Sequence, residues 1–177
     1  MTGDGGTARH GPYPLPMLRN ALRAAFLRRE PYVRMVVAAD GVADGAIVVA
    51  IVYLIQVALY LGSGFEAFTI VRVVLNGLFG WIMLSGMVYL AGRYLLEGSG
   101  SFPSTMAATS IGYPVLVLSL ALGFVVEPYQ AQLIASIWLV LTLWVAARVA
   151  LELDAKRAGV AALLGWVAYV AVTAILR

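Results

Sequence analysis

Five long apolar runs dominate this sequence and constrain its fold more than any other feature. A helix needs roughly 20 mostly apolar residues to cross the hydrocarbon core of a bilayer, and the runs have about that length. They lie at residues 45–62, 70–95, 105–126, 130–151 and 158–176. Because backbone polar groups inside lipid must pair within their own segment, we expect each run to form a membrane-spanning helix.

The composition agrees with this interpretation. Hydrophobic residues make up 62% of the 177-residue chain and charged residues 12%, whereas soluble domains have about 45–50% and about 25%. The chain has no cysteine, which excludes disulfides and thiolate metal sites. The sequence therefore predicts an all-α polytopic membrane protein with five transmembrane helices and an N-terminal amphipathic interfacial helix.

The chain divides into three parts by composition. Residues 1–16 are rich in Gly and Pro, contain the only histidine, His10, and are expected to form a poorly ordered tail. Residues 17–40 form a basic amphipathic segment, predicted to be cytoplasmic. Residues 41–177 hold the five spans and form the predicted five-helix transmembrane domain.

The stretch "MLRNALRAAFLRRE" at residues 17–30 has its apolar residues on one helical face. Pro31 is expected to end this helix. The pattern favours a helix at the membrane surface, with arginines that contact anionic lipid headgroups or a protein partner. Nucleic acid is not expected as a partner, because no groove-reading element or set of stacking aromatics accompanies the charge. The predicted contact residues are Arg19, Arg23, Arg28, Arg29 and Arg34.

The distribution of basic residues predicts the orientation. Of the twelve Lys and Arg residues, only Arg72 and Arg177 fall on the side opposite the N-terminus in a five-span arrangement. Cytoplasmic loops carry an excess of positive charge, so we expect a cytoplasmic N-terminus and an external C-terminus. The abundance of Ala, Val, Gly and Arg suggests a bacterial chain, and hence the inner membrane.

Two kinds of unusual residue interrupt the spans. Gln56 and Asn76 are polar, and we expect each to hydrogen-bond a neighbouring helix, which contributes about 0.6 kcal/mol on average; a place on a substrate pathway is the alternative. Pro114, after Gly112 and Tyr113, should kink the third span. Such a kink serves helix packing or marks a transport site.

The stretch "WIMLSGMVYLAGRYLLEGSGSFPSTMAATSIGYPVLVL" resembles the corresponding part of bacterial members of the Yip1 domain family, and "LWVAARVALELDAKRAGVAALLGW" is similar to the last two spans of that family. The resemblance implies a five-span integral membrane protein. The eukaryotic members are membrane-trafficking adaptors, so it also implies an adaptor role. The matching residues are Tyr89, Leu90, Gly92, Gly100, Ser101, Phe102, Gly112, Tyr113, Pro114, Arg157, Ala158 and residues 162–166.

The residue inventory indicates no enzyme, cofactor or metal site, because the carboxylates lie in loops, at span ends or before the first span. The leading hypothesis is a membrane scaffold or adaptor that acts through helix–helix contacts and its basic segment. Its partners would be the bilayer, anionic lipids, and other membrane proteins or a second copy. An accessory subunit of an energy-transducing or transport complex is the second hypothesis, and a small transporter or channel is the third.

Overall fold

The computed structural model describes residues 23–60 and 67–175, and every regular element within these ranges is helical. A π-helical turn at Ala91–Leu95 prolongs the third helix. The helices are α1 (Arg29–Val37), α2 (Gly41–Tyr60), α3 (Ala67–Leu90), α4 (Phe102–Ser110), α5 (Val115–Leu122), α6 (Pro128–Ala150) and α7 (Ala155–Ile175).

Among the described residues, five helical stretches are long and apolar enough to cross a membrane, which is the number predicted from the sequence. The third stretch consists of α4 and α5 together, whereas the others are single helices, with α3 and its π-helical turn counted as one. The stretches are Gly41–Ala58, Ala67–Leu95, Phe102–Leu122, Tyr129–Ala150 and Ala155–Ile175.

Local sequence explains where two of these helices begin. Ser101 caps α4, because its hydroxyl accepts a hydrogen bond from the Ser104 backbone N–H at 3.2 Å. α6 begins with Pro128, whose missing N–H would have had no partner inside the first helical turn.

The bundle is built around α3, which packs against α2, α4 and α7. Its inward face is continuous and includes one polar residue, Ser85. α3 and α7 approach so closely that Gly165 of α7 lies against the backbone of Val88. The buried residues of α3 are Gly77, Trp81, Leu84, Ser85 and Val88.

The segment before α1 differs from the predicted helix. The expectation that Pro31 ends a helix is wrong, since Pro31 lies in the first turn of α1, where proline is tolerated. The preceding helix instead ends in a left-handed turn, with φ of 58° at Leu27. There the Arg28 N–H donates to the Arg23 carbonyl oxygen at 3.1 Å, which closes the helix end. Residues 17–22, including Arg19, lie outside the described residues.

Candidate functional site

Exposed basic side chains gather at one end of the bundle, which we call the basic end. It is formed by α1, by the segment that joins α3 to α4, and by the link between α6 and α7. These three parts are far apart in sequence. Hydrogen bonds join the two loops, and α1 packs against α4 and α6. Its exposed basic residues are Arg28, Arg29, Arg34, Arg93, Arg148, Lys156 and Arg157.

α1 is anchored on the helical bundle. The Tyr32 side chain is fully buried, and its hydroxyl donates to the Ala24 carbonyl oxygen at 3.1 Å. Burial raises the pKa of the Tyr32 phenol well above its ordinary value, so Tyr32 remains a neutral donor. The Trp138 indole N–H of α6 donates to the Ala25 carbonyl oxygen at 2.7 Å. The basic segment therefore packs on protein, and its orientation is fixed by specific contacts.

The predicted contact arginines divide into two kinds. Arg34 pairs with Glu30 one helical turn earlier, and Arg23 lies 3.8 Å from the same carboxylate. Arg28 and Arg29 are exposed. Neither takes part in an ion pair within the described part of the chain. Among the four predicted contact arginines that the structure describes, these two therefore present a charge that no carboxylate shares.

The loop after α3 and the loop after α6 are interlocked. The Ser99 backbone N–H donates to the Leu151 carbonyl oxygen at 3.1 Å, and the Ser99 hydroxyl donates to the Glu152 carboxylate. From the other side, the Arg157 guanidinium donates to the Leu96 carbonyl oxygen at 3.4 Å. The two loops consequently form one surface and cannot move independently without losing these bonds.

Asp154 fixes the start of α7 within this surface. Its carboxylate accepts hydrogen bonds from the backbone N–H groups of Lys156 and Arg157, each at 2.9 Å. The Arg157 N–H lowers the pKa of the Asp154 carboxyl most, and the Lys156 N–H and both positive side chains add to this effect.

This cap predicts a pH dependence at the acid end. Since the pKa of Asp154 is lowered from its ordinary value of 3.8, its stabilisation is fully present above that pH. The stabilisation is lost as the pH falls through the folded-state pKa. The Asp154→Asn variant keeps an acceptor oxygen but does not titrate. Unfolding midpoints followed by circular dichroism in detergent should differ between the two proteins at pH 6, and the difference should shrink as the pH is lowered below 3.8. A difference that is constant with pH would contradict this role.

A second polar group lies inside the bundle, between α3 and α4. The Trp81 indole N–H is 3.2 Å from both the Met106 carbonyl oxygen and the Thr109 hydroxyl. The Ser85 and Thr109 hydroxyls are 2.6 Å apart, and Ser85 also bonds the Trp81 carbonyl oxygen. Each polar side-chain atom of this group forms a hydrogen bond with another member or with a backbone carbonyl. The group therefore joins α3 to α4 and has no free donor or acceptor for a reaction.

Sequence reasoning missed this group and chose other polar residues instead. Gln56 is half-buried and Asn76 is exposed on the outer face of α3. A hydrogen-bonding neighbour for Asn76 across helices would therefore have to come from beyond the described residues or from another molecule. The signal for the missed group was the one-turn spacing of Trp81 and Ser85, both of which are buried.

The kink expected at Pro114 is present as a full interruption of the helix. Residues 111–114 form turns between α4 and α5, and the Tyr113 N–H donates to the Ser110 carbonyl oxygen at 3.1 Å. That carbonyl would otherwise have lost its partner, because Pro114 has no N–H. A methyl group on Gly112 would lie 2.6 Å from the Thr142 hydroxyl oxygen, and Tyr113 is buried beside Tyr53. Side chains thus fill the space around the break.

Within residues 23–60 and 67–175, no group of three or more His, Cys, Asp or Glu residues is arranged to hold a metal ion. No family model matches this chain, and neither a curated protein nor a solved structure matches it. The resemblance to the Yip1 domain family therefore has no support from these comparisons.

Proposed function

We propose that this membrane protein is a non-enzymatic scaffold or adaptor that holds its partners at the basic end. One observation carries the proposal: two distant loops interlock there, α1 packs on α4 and α6 beside them, and basic side chains are left exposed. A rigid surface with an excess of positive charge attracts and orients an acidic partner. Rigidity matters because little conformational entropy is then lost on binding.

The proposal includes an orientation and a membrane. The basic end is taken as cytoplasmic, in keeping with the positive-inside rule, which gives a cytoplasmic N-terminus and an external C-terminus. The membrane is taken as the inner membrane of a bacterium. An adaptor role also agrees with the family resemblance, but the proposal rests on the basic end and does not need that resemblance.

An accessory subunit of a larger membrane complex is a second candidate, and the outer face of α3 favours it. Arg72 and Asn76 are exposed there, next to Leu75 and Phe79, which are each 59% exposed. An amide that faces lipid lacks partners, so a helix from a neighbouring subunit would stabilise it. A transporter has less support, because side chains fill the space around the break at residues 111–114.

Affinity purification from native membranes in mild detergent tests the scaffold. Wild type should recover a reproducible set of proteins, measured by quantitative mass spectrometry. The double variant Arg28→Glu, Lys156→Glu reverses two exposed charges and should reduce this recovery about tenfold or more, since each close charge pair can contribute 1.4 kcal/mol or more. Arg72→Gln removes a charge at the opposite end and is the matched control.

Migration on a native gel, after extraction from the same membranes, distinguishes the two candidate functions. If the chain is an accessory subunit, it should migrate with a large complex, and Asn76→Leu should release it while the double variant does not. A chain that migrates as a partnerless monomer in all four proteins would contradict both candidates.

A further inference from the structure

A cleft of about 380 Å³ opens at the basic end, between α1 and the last turn of α6. Arg29 contributes to it from α1, and Arg148 from α6. Two like charges that line one cleft repel each other, so a bound anion would lower the electrostatic energy of this region.

Carboxylates near the cleft do not form ion pairs with these two arginines. Glu30, the neighbour of Arg29 in sequence, is paired with Arg34 and lies close to Arg23. Neither Arg29 nor Arg148 takes part in an ion pair among residues 23–60 and 67–175. Both guanidinium groups are exposed and can donate to the same oxygen-rich ligand.

The rest of the cleft is largely apolar. Val33 and Val37 of α1 are 39% and 77% exposed, and Val149 of α6 faces them as part of the same lining. These valines lie beside the last turn of α6, a candidate span that ends at Ala150. The end of a span reaches the boundary between acyl chains and headgroups in a bilayer. A soluble anion such as phosphate would leave this apolar surface uncovered, whereas an amphiphile would cover it.

The geometry points to a binding site for one phospholipid with an anionic headgroup. The phosphate oxygens accept hydrogen bonds from Arg29 and Arg148, and the upper part of an acyl chain lies along the valines. The volume is at the lower end of the range of about 300–1,000 Å³ for small-molecule pockets, which suits a headgroup and part of a chain. This inference rests on the proposed function, since the cleft belongs to the same basic end.

Glu152 narrows the choice of headgroup. It lines the cleft beside the arginines, and its carboxylate accepts the Ser99 hydroxyl. A carboxylate accepts further hydrogen bonds. A glycerol headgroup supplies hydroxyl donors to Glu152 and a serine headgroup supplies an ammonium donor, whereas the quaternary ammonium of choline has no N–H or O–H to donate. With two arginines and one carboxylate, the cleft is therefore selective for the anionic lipids phosphatidylglycerol and phosphatidylserine over zwitterionic phosphatidylcholine.

Native mass spectrometry of the purified full chain in mild detergent tests the site. Dioleoyl phosphatidylglycerol, phosphatidylserine and phosphatidylcholine are titrated separately, and the dissociation constant of the first bound lipid is measured. Both anionic lipids should bind more tightly than the choline lipid. Arg29→Gln combined with Arg148→Gln should weaken the binding of phosphatidylglycerol about tenfold or more, the loss expected from charge-assisted hydrogen bonds. Arg72→Gln, at the other end of the bundle, should leave it unchanged.

One more variant and a competition with phosphate distinguish this site from other causes of lipid binding. Glu152→Gln keeps an acceptor oxygen and removes a negative charge from the cleft, so it should not weaken the binding of phosphatidylglycerol. Excess inorganic phosphate should not displace the lipid. Equal affinity of the double variant and wild type, or displacement by phosphate alone, would overturn the site. If circular dichroism shows that the Arg29→Gln, Arg148→Gln variant is unfolded, the two single variants are measured instead, and each should weaken lipid binding. The lipid titration uses the purified chain without a protein partner. A failure of lipid binding is therefore distinguishable from a failure of partner capture at the basic end.

Discussion

Replacing Gly165 with alanine should lower the free energy of unfolding by roughly 1–3 kcal/mol, the usual cost of overpacking a close contact. A methyl group at this position would lie 2.7 Å from the Val88 Cα atom and 2.8 Å from its backbone nitrogen. Backbone atoms of a helix interior cannot rotate away as a side chain does, so α3 and α7 must separate. Helices in membranes associate largely through such close packing, which makes the loss hard to recover elsewhere.

Gly159 on the same helix is the matched control. A methyl group there would be 3.8 Å from the Trp144 ring, an ordinary contact. Gly159→Ala should therefore leave stability unchanged or raise it by up to about 1 kcal/mol, because alanine has the higher helix propensity. The measurement is the midpoint of unfolding in a titration with dodecyl sulfate, followed by circular dichroism. Equal midpoints for the two variants would mean that the α3–α7 contact is looser than described.

Trp81→Ala should lower the free energy of unfolding by about 3 kcal/mol. Trp81 is 2% exposed and is the largest of the fully buried side chains. Its removal leaves a cavity and takes away a donor from the Met106 carbonyl oxygen and the Thr109 hydroxyl. The expected value is at the low end of the range of about 3–5 kcal/mol for such changes, because the unfolded chain in lipid or detergent also keeps its apolar groups out of water.

Two companion variants separate packing from hydrogen bonding. Trp81→Phe keeps a ring but loses the N–H, and should cost about 0.6–1.7 kcal/mol for the polar contact, with an added part for the smaller volume. Phe79→Ala removes an aromatic side chain from the exposed face of the same helix, where Phe79 is 59% exposed, and should change the midpoint little. A cost for Phe79→Ala as large as that of Trp81→Ala would show that the outward face of α3 is packed in solution.

The number and approximate limits of the spans could be predicted from sequence, because hydropathy is a local property. The fourth predicted run, 130–151, and the helical stretch Tyr129–Ala150 differ by one residue at each end. The break in the third span could also be predicted, since Pro114 lacks the donor that a continuous helix requires. Its position was less certain, because α4 already ends at Ser110, four residues earlier.

The features that depend on helix packing could not be predicted in this way. The polar group of Trp81, Ser85 and Thr109 exists only because α3 and α4 meet in one register. Pro31 was assigned to a helix end because proline both stops helices and starts them, and the left-handed turn at Leu27 decided between the two. The lipid cleft pairs Arg29 with Arg148, which no local pattern connects.

The anchoring of the basic segment has a consequence for biosynthesis. The acceptor at Ala25 and the donor at Trp138 are 113 residues apart. At about 5–20 residues per second, translation needs roughly 6–23 s to cover that distance. During this interval the nascent segment has no helix α6 to dock on, and its arginines are free to meet lipid headgroups. The segment that leaves the ribosome early is thus among the last to reach its final position, and an arrested chain without α6 would expose it to proteases.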